Sequence, residues 1–144
     1  MNEDFVTYEL AVKLKEKGFD ELCLAYYTND DTLYCNYSHK AGASYTDCYL
    51  SHNLMPKNSV SGKFVDAPTI SQVLKWLRKE HHLHFEVVGA AYGYNLIISD
   101  TPDKGGTDRY YSRMNYDGPN DGGAWDKYED CVLYGIEYVL DNLI

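Results

Sequence analysis

The chain has no long apolar run, no C-x-x-C pair and no excess of basic residues. Each absence removes a class of function. Without an apolar stretch approaching the length of a membrane span, no bilayer-crossing helix is expected. The first residues, Met1-Asn2-Glu3-Asp4, are acidic and no apolar segment follows them, so no signal peptide is expected either. Cys23, Cys35, Cys48 and Cys131 are scattered and are read as reduced thiols of a cytoplasmic protein. Thirteen basic residues stand against 22 acidic ones, a net charge of −9. Phosphate backbones bind Lys/Arg-rich faces, so direct nucleic-acid binding is disfavoured. A basic protein partner would be attracted, and the acidity also favours solubility.

Catalytic signatures are scarce as well. No G-x-S-x-G and no H-E-x-x-H occurs, and Ser61-Gly62-Lys63 lacks the upstream glycine of a phosphate-binding loop. Asp117-Gly118-Pro119-Asn120-Asp121-Gly122 departs from a calcium loop, with Pro119 at its third position and Tyr128 at its twelfth. Cys48 and His52 form a nucleophile-and-base spacing that four Cys and five His produce by chance. Asn36-Tyr37-Ser38 fits the glycosylation sequon but has no use in a chain that is not secreted.

Tyrosine is what the chain has in excess: fifteen, against four Phe and two Trp. A Tyr ring suits half-buried strands, and its hydroxyl suits recognition surfaces. The length of 144 residues fits one domain, and 44% hydrophobic with 24% charged residues fits a globular one.

Helix and strand signals follow in turn. Thr7 can cap a first helix whose apolar face is Leu10, Ala11 and Leu14, with Gly18 as its left-handed stop and Phe19 folding back. Strands follow at 22–27 and 32–37, joined by the turn-forming Thr28-Asn29-Asp30-Asp31. Thr69-Ile70-Ser71-Gln72 is a capping box, and Ile70, Val73, Leu74 and Leu77 form an apolar stripe. Strands at 83–88 and 92–99 make a second hairpin. A last helix is expected from Asp126, its inner face Tyr128, Val132, Gly135, Ile136, Val139, Leu140 and Leu143. The expected fold is α+β: two helix-hairpin units plus a C-terminal helix, with a mainly antiparallel four-stranded sheet and the helices packed on one face.

Two long loops, about 38–65 and 100–125, interrupt this single domain, and long structureless connections tend to be functional. The first carries Tyr45 and Tyr49. The second carries Arg109, Tyr110, Tyr111, Arg113 and Tyr116 among Gly and Asp residues. Tyrosines on adaptable loops read as a contact surface for a protein partner or a small ligand. Aromatic faces stack bases and Arg pairs with phosphate, so a nucleotide-like ligand also fits. No cofactor is expected. His81 and His84 are weak metal candidates, with His39 or His52 to complete a site, and a helix C-terminus accounts for such histidines equally well.

Three blocks carry a resemblance. Phe5-Val6-Thr7-Tyr8-Glu9 with Leu14-Lys15-Glu16-Lys17-Gly18-Phe19-Asp20-Glu21 is one; Ala67-Pro68-Thr69 with Trp76-Leu77 is the second; Tyr128-Glu129-Asp130-Cys131 is the third. Together they resemble small uncharacterised proteins of gut Bacteroidetes and of their phages and mobile elements. The resemblance implies a bacterial or phage cytoplasmic setting and carries no activity. The sequence thus points to a non-catalytic binding protein acting through Tyr/Asp-rich loops, such as a counter-defence inhibitor or a ligand-sequestering protein. The alternatives are a small metal-dependent or nucleotide-acting enzyme using the His cluster and loop carboxylates, and a structural or assembly protein.

Overall fold

The computed structural model describes residues 4–28, 32–35, 65–106 and 108–144. They fall in two compact units, Met1–Thr69 and Ile70–Ile144.

In the first unit, helix α1 spans Tyr8–Glu16 and buries Leu10, Ala11 and Leu14. The Thr7 hydroxyl oxygen accepts from Leu10 N at 3.3 Å, satisfying one of the amides a helix start leaves open. Gly18 stops the helix with φ 92°. Phe19 N then donates to Leu14 O at 2.9 Å, and the Phe19 ring is buried. A Cβ at Gly18 would meet nothing within 4 Å, so a substitution there is charged for its dihedral alone. Gly18→Ala is therefore expected to cost about 1–2 kcal/mol in urea denaturation, and Gly18→Asn less, because Asn tolerates the left-handed region.

Strand β1 (Ala25–Tyr27) lies between β2 (Leu33–Cys35) and β3 (Val65–Ala67), antiparallel to both. The segment before α1 is tied to this sheet. Tyr27 OH donates to Val6 O at 2.6 Å, Val6 N donates to Pro68 O at 3.1 Å, and the Tyr8 ring stands edge-on to Tyr27.

The second unit contains α2 (Ile70–His81), β4 (Leu83–Ala90), β5 (Gly93–Asp100), β6 (Arg109–Tyr111) and α3 (Tyr128–Asn142). The strands form an antiparallel sheet in the order β4-β5-β6. β4 and β5 pair over their whole length, from Leu83↔Asp100 to Ala90↔Gly93, around the two residues Ala91 and Tyr92. β6 joins β5 with an irregularity at Ile98/Ser99. α3 buries Cys131, Val132, Gly135, Ile136, Val139 and Leu140. A Cβ on Gly135 would lie 2.7 Å from Phe85 Cε2 and 2.8 Å from Leu96 Cδ2, so the missing side chain sets how closely helix and sheet approach. α2 packs on β4 and on α3, with Val73 and Leu77 wholly buried.

The α+β class is as the sequence reads. The sheet is not: in place of one four-stranded sheet, the described residues carry two three-stranded ones. The added strands, β3 and β6, are three residues each. Such a segment is too short to show an alternation of period two: β6 lies inside the stretch 100–125 read as loop, and β3 straddles the end of the stretch 38–65 and the lead-in to α2. The second long loop is accordingly not structureless. It contains a 3-10 turn at Pro102–Lys104, β6, and another at Arg113–Asn115. α3 starts at Tyr128 with Lys127 as its cap residue, not at a capping Asp126, whose Oδ1 accepts from Asn120 Nδ2.

Candidate functional site

Residues directly opposite one another in a sheet share a face. Phe85↔Ile98 and Val87↔Leu96 turn toward α3, where Gly135 meets Phe85 and Leu96. His84↔Ser99, Glu86↔Ile97 and Val88↔Asn95 therefore turn away from α3. On that second face, alongside β6, lies a groove of about 580 Å3. Val88 and Ile97 give it an apolar floor; Arg109, Ser112 and Asn115 give it a cation and hydrogen-bonding groups. A recess of about 260 Å3 adjoins it, formed by Tyr92, Asn95, Met114 and Tyr116. Asn95 and Met114 belong to both spaces.

The wall of this site is the segment after β6, and it is held in a fixed shape. Asp117 Oδ2 accepts from Tyr111 OH at 2.9 Å and from Tyr134 OH at 3.0 Å. Tyr111 is only 3% exposed and its ring meets Tyr138 at 5.0 Å and Tyr134 at 6.0 Å. Burial, then the bond to Asp117, raises the Tyr111 phenol well above its ordinary pKa, and the same two causes raise Tyr134. Three residues on, Asn120 fills its bonding capacity. Its Nδ2 donates to Tyr92 O at 2.7 Å and Asp126 Oδ1 at 3.1 Å; its Oδ1 accepts from Gly122 N at 3.0 Å and Ala124 N at 2.9 Å. Backbone bonds Gly118 N→Gly123 O and Asn120 N→Ala124 O close the loop on itself. The pair Tyr94 N→Trp125 O and Trp125 N→Tyr94 O fastens it to the start of β5.

Glycine is required where these strands of loop touch. A Cβ on Gly118 would lie 2.3 Å from Ala124 backbone atoms, and one on Gly93, at φ 133°, would lie 2.6 Å from Trp125 O. Tyr116 has φ 53°, an outlier for an aromatic residue, and is 62% exposed at the mouth of the recess. Its hydroxyl reaches Met114 Sδ at 3.5 Å.

The structure brings together Arg109, Tyr110 and Tyr111 along the groove and sets Tyr116 in the adjoining recess. Tyr110 OH donates to Asp100 Oδ1 at 2.7 Å, a bond that raises the pKa of the phenol. The Tyr111 ring belongs to the core beneath. Arg113 sits on the 3-10 turn, its side chain outside the described residues, as are Tyr45, Tyr49, His39 and His52 altogether. The clustered histidines diverge. His81 stands edge-on to Trp76 at 4.7 Å, and burial lowers its pKa. His82, at φ 56°, has Nδ1 3.3 Å from Asp103 Oδ2 without hydrogen-bond geometry. His84 lies across from Ser99 on the sheet. Among the described residues, no three His, Cys, Asp or Glu side chains gather as a metal would need. Cys131 is buried in α3, which pushes its thiol up to about 12 and leaves it a poor nucleophile.

Sequence reasoning passed over Tyr92, Asn95, Ser112, Met114 and Asn115. One signal was present: Asn95 stands between Tyr94 and the apolar run Leu96-Ile97-Ile98 in β5, where a strand buried on one side has no need of an amide. No family model, curated protein or solved structure matches the chain.

Proposed function

We propose that the protein is a non-catalytic binding protein whose second unit holds a small ligand in the groove beside β6. The observation that carries this reading is the convergence of one cation, several hydrogen-bonding side chains and apolar floor residues on a preformed concave site. Its volume, about 580 Å3, lies within the usual range for ligand pockets. The divergence of His81, His82 and His84 favours binding over chemistry, since an active site needs its acid, base or ligands aimed at one point. Net acidity favours a ligand met through local contacts over a long nucleic-acid strand. Taken with the resemblance of three sequence blocks to proteins of Bacteroidetes phages and mobile elements, this would be a ligand-sequestering protein of the bacterial cytoplasm. A counter-defence inhibitor is one such role.

A fragment screen by protein-observed NMR tests the reading. Fragment hits are expected to move the amides of Val88, Asn95, Ile97 and residues 109–115, and Arg109→Ala is expected to weaken the anionic hits about tenfold. Hits scattered over the surface, or none in the groove, would sink it.

A further inference from the structure

Asn95 and Asn120 invite comparison. Asn120 uses both donors and both acceptor positions of its carboxamide on protein groups. Asn95 is more deeply placed, 5% exposed, yet among the described residues its side chain makes one hydrogen bond, a long one from Nδ2 to Tyr92 OH at 3.4 Å. Among the described residues the buried side-chain atoms without a partner are His82 Nδ1 and Thr101 Oγ1, so the Asn95 carboxamide, with that one bond, keeps an opening to solvent. The neighbours of Asn95 on the same face, Val88 and Ile97, are apolar, so nothing in the sheet asks for a carboxamide there. What Asn95 does have is a place in the lining of both the groove and the recess.

The recess has aromatic and thioether walls. Tyr92, Met114 and Tyr116 form its sides, 53%, 65% and 62% exposed. Aromatic rings stack on planar bases with little regard to identity, and a thioether packs well against an aromatic ring. The Tyr116 ring is held there by a left-handed backbone that costs energy to maintain, and strain of that kind concentrates at ligand clamps. At about 260 Å3 the recess suits one ring system, below the range of pockets for drug-sized ligands.

We infer that the recess takes an amino-substituted heteroaromatic base, of adenine or cytosine type, whose adjacent donor and acceptor are read by the Asn95 carboxamide between Tyr92 and Tyr116. A carboxamide matches such an edge bidentately, as Asn and Gln do with adenine. The remainder of a nucleoside or nucleotide would extend into the groove toward Arg109. This rests on the binding reading above and names its ligand class.

The test titrates adenosine, cytidine and inosine into 15N-labelled protein, wild type and Asn95→Leu, with the groove fragments as a parallel probe. Inosine keeps the purine shape but replaces the amine by a carbonyl. Adenosine or cytidine is expected to move the amides of Tyr92, Asn95, Met114 and Tyr116. The better of the two should bind roughly tenfold or more tightly than inosine, and Asn95→Leu should remove that preference. Asn95→Leu should keep the wild-type spectrum at amides remote from the groove and recess, such as those of α3. If Leu fails to fold, Asn95→Asp, which retains the acceptors and loses the amide donors, replaces it and should likewise lose at least tenfold. Equal binding of adenosine, cytidine and inosine, or an unchanged preference in the variant, overturns the inference. So does fragment binding in the groove with no nucleoside in the recess, which leaves the binding reading standing. Failure of fragments and nucleosides alike removes both.

Discussion

Asn120→Ala is expected to destabilise the second unit by about 2 kcal/mol. The side chain makes four hydrogen bonds, two of them to backbone amides two and four residues on, one to Tyr92 O, and one to the Asp126 carboxylate. Each is worth about 0.5–1.5 kcal/mol net, and partial solvent access places the sum toward the low end. The consequence extends beyond stability. Without Asn120 the loop loses its centre, and the Tyr94–Trp125 backbone pair is left as the chief fastening to β5. Trp125, 6% exposed, should then become more accessible, with a red shift in fluorescence and weaker near-ultraviolet circular dichroism. Asn120→Asp should not rescue the loss. It keeps the acceptors for Gly122 N and Ala124 N, but it places a second carboxylate against Asp126 and removes the donor to Tyr92 O.

The second large effect centres on Asp117. One carboxylate oxygen serves Tyr111 and Tyr134 together, and hydrogen bonds to a charged acceptor are worth more than neutral ones. Asp117→Ala is expected to cost about 2 kcal/mol, most of it from stranding the buried Tyr111 phenol. Tyr111→Phe should cost less, since donor and need disappear together. The two variants also differ in pH dependence. Burial raises the folded-state pKa of Tyr111 above that of the unfolded chain. Its contribution to stability is thus whole below about pH 10, the unfolded value, and is lost as pH rises through the folded one. Urea denaturation above pH 10 should show a steep fall in the wild type and a shallower one in Tyr111→Phe. In a spectrophotometric titration Tyr111 should ionise only with unfolding, after the exposed tyrosines.

What the sequence made legible is the part of the fold set by local chemistry. Thr7, Gly18 and Phe19 act at α1 as their residue types require. The alternation of Leu83, Phe85 and Val87 in β4, the apolar run of β5 and the stripe of α2 are regular enough to be read directly. What stayed hidden depends on contacts across the chain. β6 is recognisable only by its pairing with β5, and the bond between Asp126 and Asn120, six residues earlier, ties Asp126 to the loop and not to the helix start. The Gly/Asp-rich stretch reads as a loose loop because glycine so often marks flexibility. Here Gly93 and Gly118 instead permit backbone segments to touch, which composition alone does not disclose. The site was legible in part for the same reason. Arg109, Tyr110 and Tyr116 could be picked out by type, whereas Asn95, 14 positions before Arg109, joins them only through the sheet.

The binding account stands on the segment from Gly118 to Trp125 being a formed loop that braces Tyr92 and Tyr116 of the recess rather than a solvated one. Amide hydrogen exchange measures that directly. The account predicts slowed exchange at Gly118, Asn120, Gly122, Gly123, Ala124 and Trp125, the amides whose hydrogen bonds close the loop and fasten it to β5. It also predicts that this protection collapses in Asn120→Ala while the amides of the β4–β5 pairing keep theirs. Exchange at the intrinsic, unprotected rate across those six amides in the wild type would contradict it, and Tyr92 and Tyr116 would then lose the support that holds them beside the recess.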